Sequence, residues 1–183
     1  MKREDTNPVV DRLAVILDEH CRLMEALDAA EIDALAGAIV DARSVFFSGQ
    51  GRSGLMTRAL AIRLMHLGIK VHVAGEPSTP AIGAKDLLIA VSASAGTKAT
   101  LEHVRIARNS GARVALVSSK KPEPDAADLG LTLPARSAIP TVQHAGSLFE
   151  QAFLLVGDAL AWHIQTQLGV DERLMNERHA NLQ

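Results

Sequence analysis

Residues 45–68, Val-Phe-Phe-Ser-Gly-Gln-Gly-Arg-Ser-Gly-Leu-Met-Thr-Arg-Ala-Leu-Ala-Ile-Arg-Leu-Met-His-Leu-Gly, decide the fold. An apolar run breaks into a glycine-rich turn at 48–54 and continues as a helix-spaced segment that Gly68 closes. Strand, turn and helix in that order form half of a parallel α/β unit. The pattern recurs. Apolar runs at 45–48, 71–74, 87–92, 114–118 and 129–133 read as buried strands. Helical stretches at 53–67 and 97–110 lie between them, with Gly68 and Gly111 suited to left-handed C′ positions. The expected fold is α/β: a doubly wound, five-stranded parallel sheet flanked by helices, a flavodoxin-like three-layer sandwich.

Outside this core the spacing is helical. After Asn7-Pro8, the residues Val10, Leu13, Leu17, Cys21 and Met24 place one stripe on a helix running to about Leu27. Asp28 and Glu31 resemble a capping box, followed by a second stripe of Ile32, Leu35, Ala36 and Ile39. A long helix at 147–168 with Gly169 behind it, and a short one near 171–180, complete the chain. Residues 1–183 are expected to form a single domain, with N-terminal helices at about 8–40 and C-terminal helices at about 147–180. Segment 119–125, with Lys120, Lys121, Pro122 and Pro124, reads as an exposed loop.

Composition narrows the function. With 183 residues, 48% hydrophobic and 22% charged, the chain has enough apolar side chain for a core, which excludes disordered and fibrous classes. Nineteen Lys and Arg against 21 Asp and Glu leave a net charge of −2, so no basic excess grips a nucleic acid. With no Tyr, one Trp and four Phe, platforms for stacked bases are lacking. The single cysteine, Cys21, makes no intrachain disulfide, and residues 1–8 carry mixed charge before any apolar run, so a cytoplasmic location is expected. The apolar stretch 153–162 is interrupted by Gly157 and Asp158 and falls short of the roughly 18 residues of a membrane span.

In an open α/β sheet the ligand sits beyond the carboxyl ends of the strands. Two loops stand out there. Ser48-Gly49-Gln50-Gly51-Arg52-Ser53-Gly54 and Ser92-Ala93-Ser94-Ala95-Gly96-Thr97 each open into a helix. Small residues let backbone N–H groups approach an anion, hydroxyls add donors, and the helix start carries partial positive charge. The first loop also matches Gly-x-Gly-x-x-Gly, with Glu76 lying 22 residues beyond Gly54, so a dinucleotide reading stays open. Against it, the second hydroxyl-rich loop has no place in that fingerprint. Capping and turn formation are the ordinary uses of Ser at such positions.

The segments 48–54, Arg63-Leu-Met-His-Leu-Gly68, Glu76 before Thr79-Pro80, Ser147-Leu-Phe-Glu-Gln151 and Arg178-His-Ala-Asn-Leu182 occur in one order. Together they make the chain resemble sugar isomerase (SIS) domain proteins, and among them the 6-phospho-3-hexuloisomerase family. The resemblance implies a cofactor-free isomerase interconverting a 3-ketohexose 6-phosphate and fructose 6-phosphate, working in ribulose monophosphate metabolism (formaldehyde fixation) as a homo-oligomer, dimer or tetramer. It places substrate binding on Ser48, Gly51, Arg52, Ser53, Glu76, Ser92, Ser94, Gly96 and Thr97. Glu150 is the first candidate for the base that moves the proton between neighbouring carbons, the alternative being that His179 is that base and Glu150 orients it. His179 is implied as a second acid–base group that reaches a site only if the tail docks, over another subunit's site in this reading.

Two departures from the family pattern bear on the substrate. The second loop of the family runs close to Ser-Gly-Ser-Gly-Glu-Thr, whereas this chain has Ala93, Ala95 and Gly96; alanine disfavours positive φ. His144-Ala145 stands where the family more often has Pro-Met. His66 reads as a cap for backbone carbonyls, His103 and His163 as helix residues remote from the cradles, Lys98 as a solvated lysine. No His, Cys or acidic pair shows metal-ligand spacing. Two other functions compete: a non-enzymatic sugar-phosphate sensor with the same cradle, and a nucleotide-dependent enzyme using the first loop.

Overall fold

The computed structural model describes residues 7–182; the mixed-charge segment 1–6 lies outside them. The elements run α1 (Pro8–Glu25), α2 (Ala29–Asp41), β1 (Val45–Gly49), α3 (Gly51–His66), β2 (Val71–Val73), β3 (Leu87–Val91), α4 (Lys98–Asn109), β4 (Arg113–Ser118), β5 (Leu129–Thr132), α5 (Ser147–Leu168) and α6 (Glu172–Glu177). All five strands are parallel, in the order β2-β1-β3-β4-β5. The order reverses between β1 and β3, which opens a crevice at their carboxyl ends.

Strand alternation divides the core in two. Val45 and Phe47 of β1, Leu87, Ile89 and Val91 of β3, and Ala115 and Val117 of β4 face the layer of α2, α3 and α5. Phe46, Leu88, Ala90, Val114 and Leu116 face α4. The same parity sends Ser48, Ser92 and Ser118, all buried at the strand ends, toward the α4 side. Burial on both faces explains why the strands read as unbroken apolar runs.

The helix ends follow the sequence with three corrections. Asp28 caps α2 by accepting from the Ala30 N–H at 2.9 Å, but Glu31 does not close a capping box. Its carboxylate reaches across to the Thr132 N–H of β5 at 2.7 Å, docking α2 on the sheet edge. His66 does not cap α3; its carbonyl accepts from Arg178 Nη1 at 3.0 Å. α3 begins at Gly51, two residues earlier than the spacing indicated, with Gly51 at φ +57.

The first helix forms as expected, yet Val10, Leu13, Leu17 and Cys21 point outward, and its buried residues are Glu19, His20 and Leu23. Leu13 and Leu17 are 51% and 55% exposed.

At the opposite end of the sheet from the crevice, Asp86 is buried and accepts from Arg43 Nε and Nη2 at 2.9 and 2.6 Å and from the Gly83 N–H at 2.9 Å. Burial pushes its carboxyl up, but Arg43 and the Gly83 N–H outweigh this and hold it below the ordinary carboxylate value. A depressed folded-state pKa stabilises the fold above the unfolded value, and that contribution is lost as pH falls through the folded one. Asp86→Ala is therefore expected to lower the melting temperature at pH 7 by about 5 °C, the effect of losing a charged hydrogen bond in a chain of this size. The difference from wild type should shrink below about pH 4. Paired thermal melts at pH 7 and pH 3 check both signs.

Candidate active site

The two glycine- and serine-rich loops lie side by side at the carboxyl ends of β1 and β3, as the register Gly49↔Val91 requires. In the first, Gln50 is the residue before α3 and makes no side-chain cap, so the first N–H groups of α3 are not capped by it. Gly49 and Gly54 pack closely: a Cβ on Gly54 would stand 2.6 Å from the Gly49 carbonyl oxygen. Any side chain there would open the turn. Arg52 donates from Nε to Glu150 Oε2 at 2.5 Å, joining α3 to the first turn of α5. Ser53 sits half-buried in the first turn of α3.

In the second loop, Ser92 is buried and its Oγ lies 2.9 Å from Thr97 Oγ1, so the two hydroxyls form one pair at the start of α4. Thr97 makes no side-chain cap of its own. The Gly96 N–H donates to Ser94 Oγ at 3.2 Å, and Ser94 is exposed. Ala95 adopts φ +52 despite its methyl group. Holding an alanine left-handed costs about 1 kcal/mol.

That strain belongs to a pattern. Among the described residues, four non-glycine residues have positive φ, and three of them, Ala95, Arg136 and Ala145, line one cavity of about 750 Å³. Strained backbone gathers where a site over-determines it. The cavity lies between the second loop, the segments after β4 and β5, and the start of α5. Lys120, Arg136 and His144 line it, with Ser94, Ser119 and Ser137, and no carboxylate does. Such a wall is made for an anionic, hydroxylated ligand. Arg136 also fixes the wall, donating to the Ala145 carbonyl at 2.7 Å and to that of Gln143.

Glu150 does not line this cavity but borders it in the first turn of α5, beside the lining residues Gly146 and Phe149, with its carboxylate turned to Arg52 of α3. Its carboxylate has Arg52 on one oxygen, and its other oxygen lies 3.2 Å from where a Cβ on Gly146 would stand. Gly146 thus leaves the space the carboxylate occupies. The structure brings together Arg52 with Glu150, and Ser92 with Thr97, beside Ser94 and Gly96.

Three residues are placed elsewhere. Ser48 Oγ points to the α4 side and is bonded to His103 Nδ1 at 2.8 Å, which turns the hydroxyl toward α4. Its partner is a histidine that had read as remote from both cradles. Glu76 pairs with Arg58 Nη2 at 2.7 Å and lines a separate cavity of about 280 Å³ that His103 shares. His179 lies at the far end of α3, its ring stacked on His66 with centroids 5.0 Å apart. Burial, then His179 and Arg63, hold the His66 pKa below its ordinary value. Fourteen helical residues separate Arg52 from His66, about 21 Å along the axis. Within one chain His179 does not meet Glu150.

Sequence reasoning gave Lys120 only as part of an exposed loop and passed over Arg136 and Ser137, which follow the next strand. Only the strand ends they follow could have flagged them. Among the described residues, no group of three or more His, Cys, Asp or Glu side chains is placed to hold a metal ion, and no helix is long and apolar enough to cross a membrane.

The SIS domain profile matches residues 38–159, from the end of α2 through the first half of α5, and so spans both loops, the cavity and Glu150. The chain belongs to the SIS domain family. Full-length relatives carry the likeness further. The chain is 36% identical over 182 residues to a 3-hexulose-6-phosphate isomerase of Mycobacterium gastri, covering 96% of this chain and 92% of the relative. It is 35% identical over 180 residues to the enzyme of that name from Bacillus subtilis (strain 168), covering 93% and 97%. Among solved structures, a Methanococcus jannaschii protein whose structure infers a 3-hexulose-6-phosphate isomerase function superposes with a TM-score of 0.84 at 29% identity, covering 94% of this chain and 99% of that one. NanR of Vibrio vulnificus, complexed with ManNAc-6P, shares the fold at 18% identity and a TM-score of 0.78, covering 94% of this chain and 67% of that one. The SIS fold alone therefore does not decide between an isomerase and a sensor; the site must.

Proposed function

We propose that this SIS domain protein is a phosphosugar isomerase converting 3-hexulose 6-phosphate to fructose 6-phosphate, working as a homo-oligomer and without a cofactor. The observation that carries the chemistry is the Glu150 carboxylate, held by Arg52 of the first loop at the edge of the large cavity, where a sugar whose phosphate lies on the second loop reaches it. A sensor needs the wall but not the carboxylate.

The carbonyl moves from C3 to C2. Glu150 takes the proton from C2, the electrons of that bond form a C2–C3 double bond, and negative charge collects on O3 as an enediolate. Lys120, Arg136 and the N–H groups at the start of α5 lie on the side of the cavity where that charge is stabilised. A proton moves from O2 to O3 with help from an acid–base group, the proton held by Glu150 is delivered to C3, and the carbonyl stands at C2. The phosphate rests on the second loop, where Ser94, the Ser92–Thr97 pair and the start of α4 supply donors. The acid lacking at Gly96 leaves this loop without a negative charge of its own.

Assembly enters because His179 acts only on a neighbour's site in this reading. Two apolar faces are available for it: the outward stripe of α1, and the ridge of Ile62 on α3 with Leu155 and Trp162 on α5, Trp162 being 68% exposed. Apolar patches of this kind mark contact surfaces.

The test is an NMR screen of phosphosugars in deuterated water, where exchange of a proton next to the carbonyl identifies reaction type and substrate together. A wild-type protein that binds phosphosugars but exchanges no proton in any of them is a sensor. Ser94→Ala is expected to weaken inhibition by inorganic phosphate about 10- to 100-fold, the loss of one hydrogen bond to a charged oxygen. Undiminished phosphate inhibition would move the anion away from the second loop.

A further inference from the structure

The buried face of α1 is not that of an ordinary packing helix. Two of its three buried residues, Glu19 and His20, are ionisable, and Glu19 is 1% exposed. Burying a carboxylate is costly unless its oxygens are satisfied. Here they are satisfied by one short segment: Glu19 accepts from Thr141 Oγ1 at 2.6 Å, from the Val142 N–H at 2.7 Å and from Gln143 Nε2 at 2.8 Å. Arg12, two turns earlier on α1, donates to the Val142 carbonyl at 2.9 Å. Burial pushes the Glu19 carboxyl up, but these hydrogen bonds and the charge of Arg22 hold it below the ordinary value, so it is an anion at neutral pH.

The next residue reaches a different target. His20 Nε2 lies 3.0 Å from Gln151 Oε1, and its Nδ1 is buried without a hydrogen-bond partner. Gln151 is the immediate neighbour of Glu150 in the first turn of α5. Segment 141–143 runs directly into His144, Ala145 and Gly146, the cavity wall whose glycine makes room for the Glu150 carboxylate. Consecutive residues of one helix therefore hold the two parts of the site whose relative placement decides where Glu150 points.

We propose that Glu19 and His20 are positioning residues of the active site, clamping segment 141–146 and the first turn of α5 together from behind without touching substrate. The inference rests on the reading of Glu150 as the base. Proton transfer from carbon needs the base within a few tenths of an ångström of its productive place, and a shift of 1 Å costs about 100-fold. Binding of phosphate at the second loop asks nothing of α1.

Glu19→Gln tests the clamp, because it keeps size and can still accept from the Val142 N–H, but it sets an NH2 group at the Oε2 position, where Thr141 Oγ1 and Gln143 Nε2 donate, so both must turn over or lose their bond, and the buried negative charge is gone. The measurements are kcat and KM with the sugar phosphate that the wild type isomerises, and the Kd of inorganic phosphate, all well below the melting temperature. The expected result is a kcat lower by about 10- to 100-fold, a phosphate Kd within about threefold of wild type, and a single cooperative melt. A folded variant with kcat within about threefold of wild type overturns the proposal. So does a kcat that falls only in step with phosphate affinity and folded fraction, which is what a merely structural role gives. Should Glu19→Gln not fold, Thr141→Val removes one of the three donors and is read the same way, with unchanged kcat overturning the clamp. A wild type that isomerises no phosphosugar overturns the isomerase reading and the clamp with it, whereas an active wild type matched by Glu19→Gln overturns the clamp alone.

Discussion

Glu150→Gln is expected to slow isomerisation by about 1,000-fold or more while leaving the affinity for the sugar phosphate within about twofold, since general base catalysis alone is typically worth 10²- to 10⁴-fold. Glutamine keeps the length of the side chain, and its amide oxygen still accepts from Arg52, so the geometry at the start of α5 survives. What it lacks is an oxygen able to take a carbon-bound proton. Loss of both isomerisation and proton exchange in deuterated water, with unchanged inhibition by phosphate, is the pattern of a missing base. A variant that still exchanges the C2 proton near the wild-type rate would remove Glu150 from that role and leave His179 of a neighbour, or His144 in the cavity wall, to be tested next.

The second large effect concerns His179. His179→Asn is expected to be about 100-fold slower than wild type, because shuttling a proton between sugar oxygens can partly pass to water. Its location predicts something more specific: His179 stands about 21 Å along α3 from the level of Glu150, so if both groups serve one substrate they come from two chains. Mixing Glu150→Gln with His179→Asn under conditions where subunits exchange should then restore activity neither variant has alone. At equal amounts and random exchange, about one site in four pairs an intact Glu150 with an intact His179. Recovery to roughly a quarter of the wild-type rate is the expected outcome. No recovery, in a mixture shown by light scattering to have exchanged subunits, would confine His179 to its stack on His66.

Much of this was legible before any coordinates. Strands such as 87–91, buried on both faces, announce themselves as uninterrupted apolar runs, and Gly68, Gly111 and Gly169 all take the positive φ that helix closure asks of them. Less legible was anything that depends on which way a side chain faces. Ser48 sits one residue after Phe47, and strand parity carries its hydroxyl to the α4 side, where His103 waits 55 positions further along the chain. Glu19 and His20 look like the solvated side of an amphipathic helix, because the apolar residues around them form the obvious stripe; the helix is turned so that the stripe faces out. Lys120, Arg136 and His144 converge only because β4 and β5 end, and α5 begins, at the same rim. No spacing rule links them.

The length of α3 sets a constraint on symmetry. If each subunit of a pair lends His179 to the other's Glu150, the start of one α3 must lie against the end of its copy, and the two helices run antiparallel. A twofold axis satisfying both exchanges at once crosses α3 halfway between Arg52 and His66, at the level of Ala59. Ile62, 53% exposed, stands less than one turn from that level, so such an axis would pass beside an exposed apolar side chain on each copy. In such a pair the helix would act as a ruler: its sixteen residues would set how far apart the two reaction centres stand, and lengthening α3 by one turn would push both histidines past their targets.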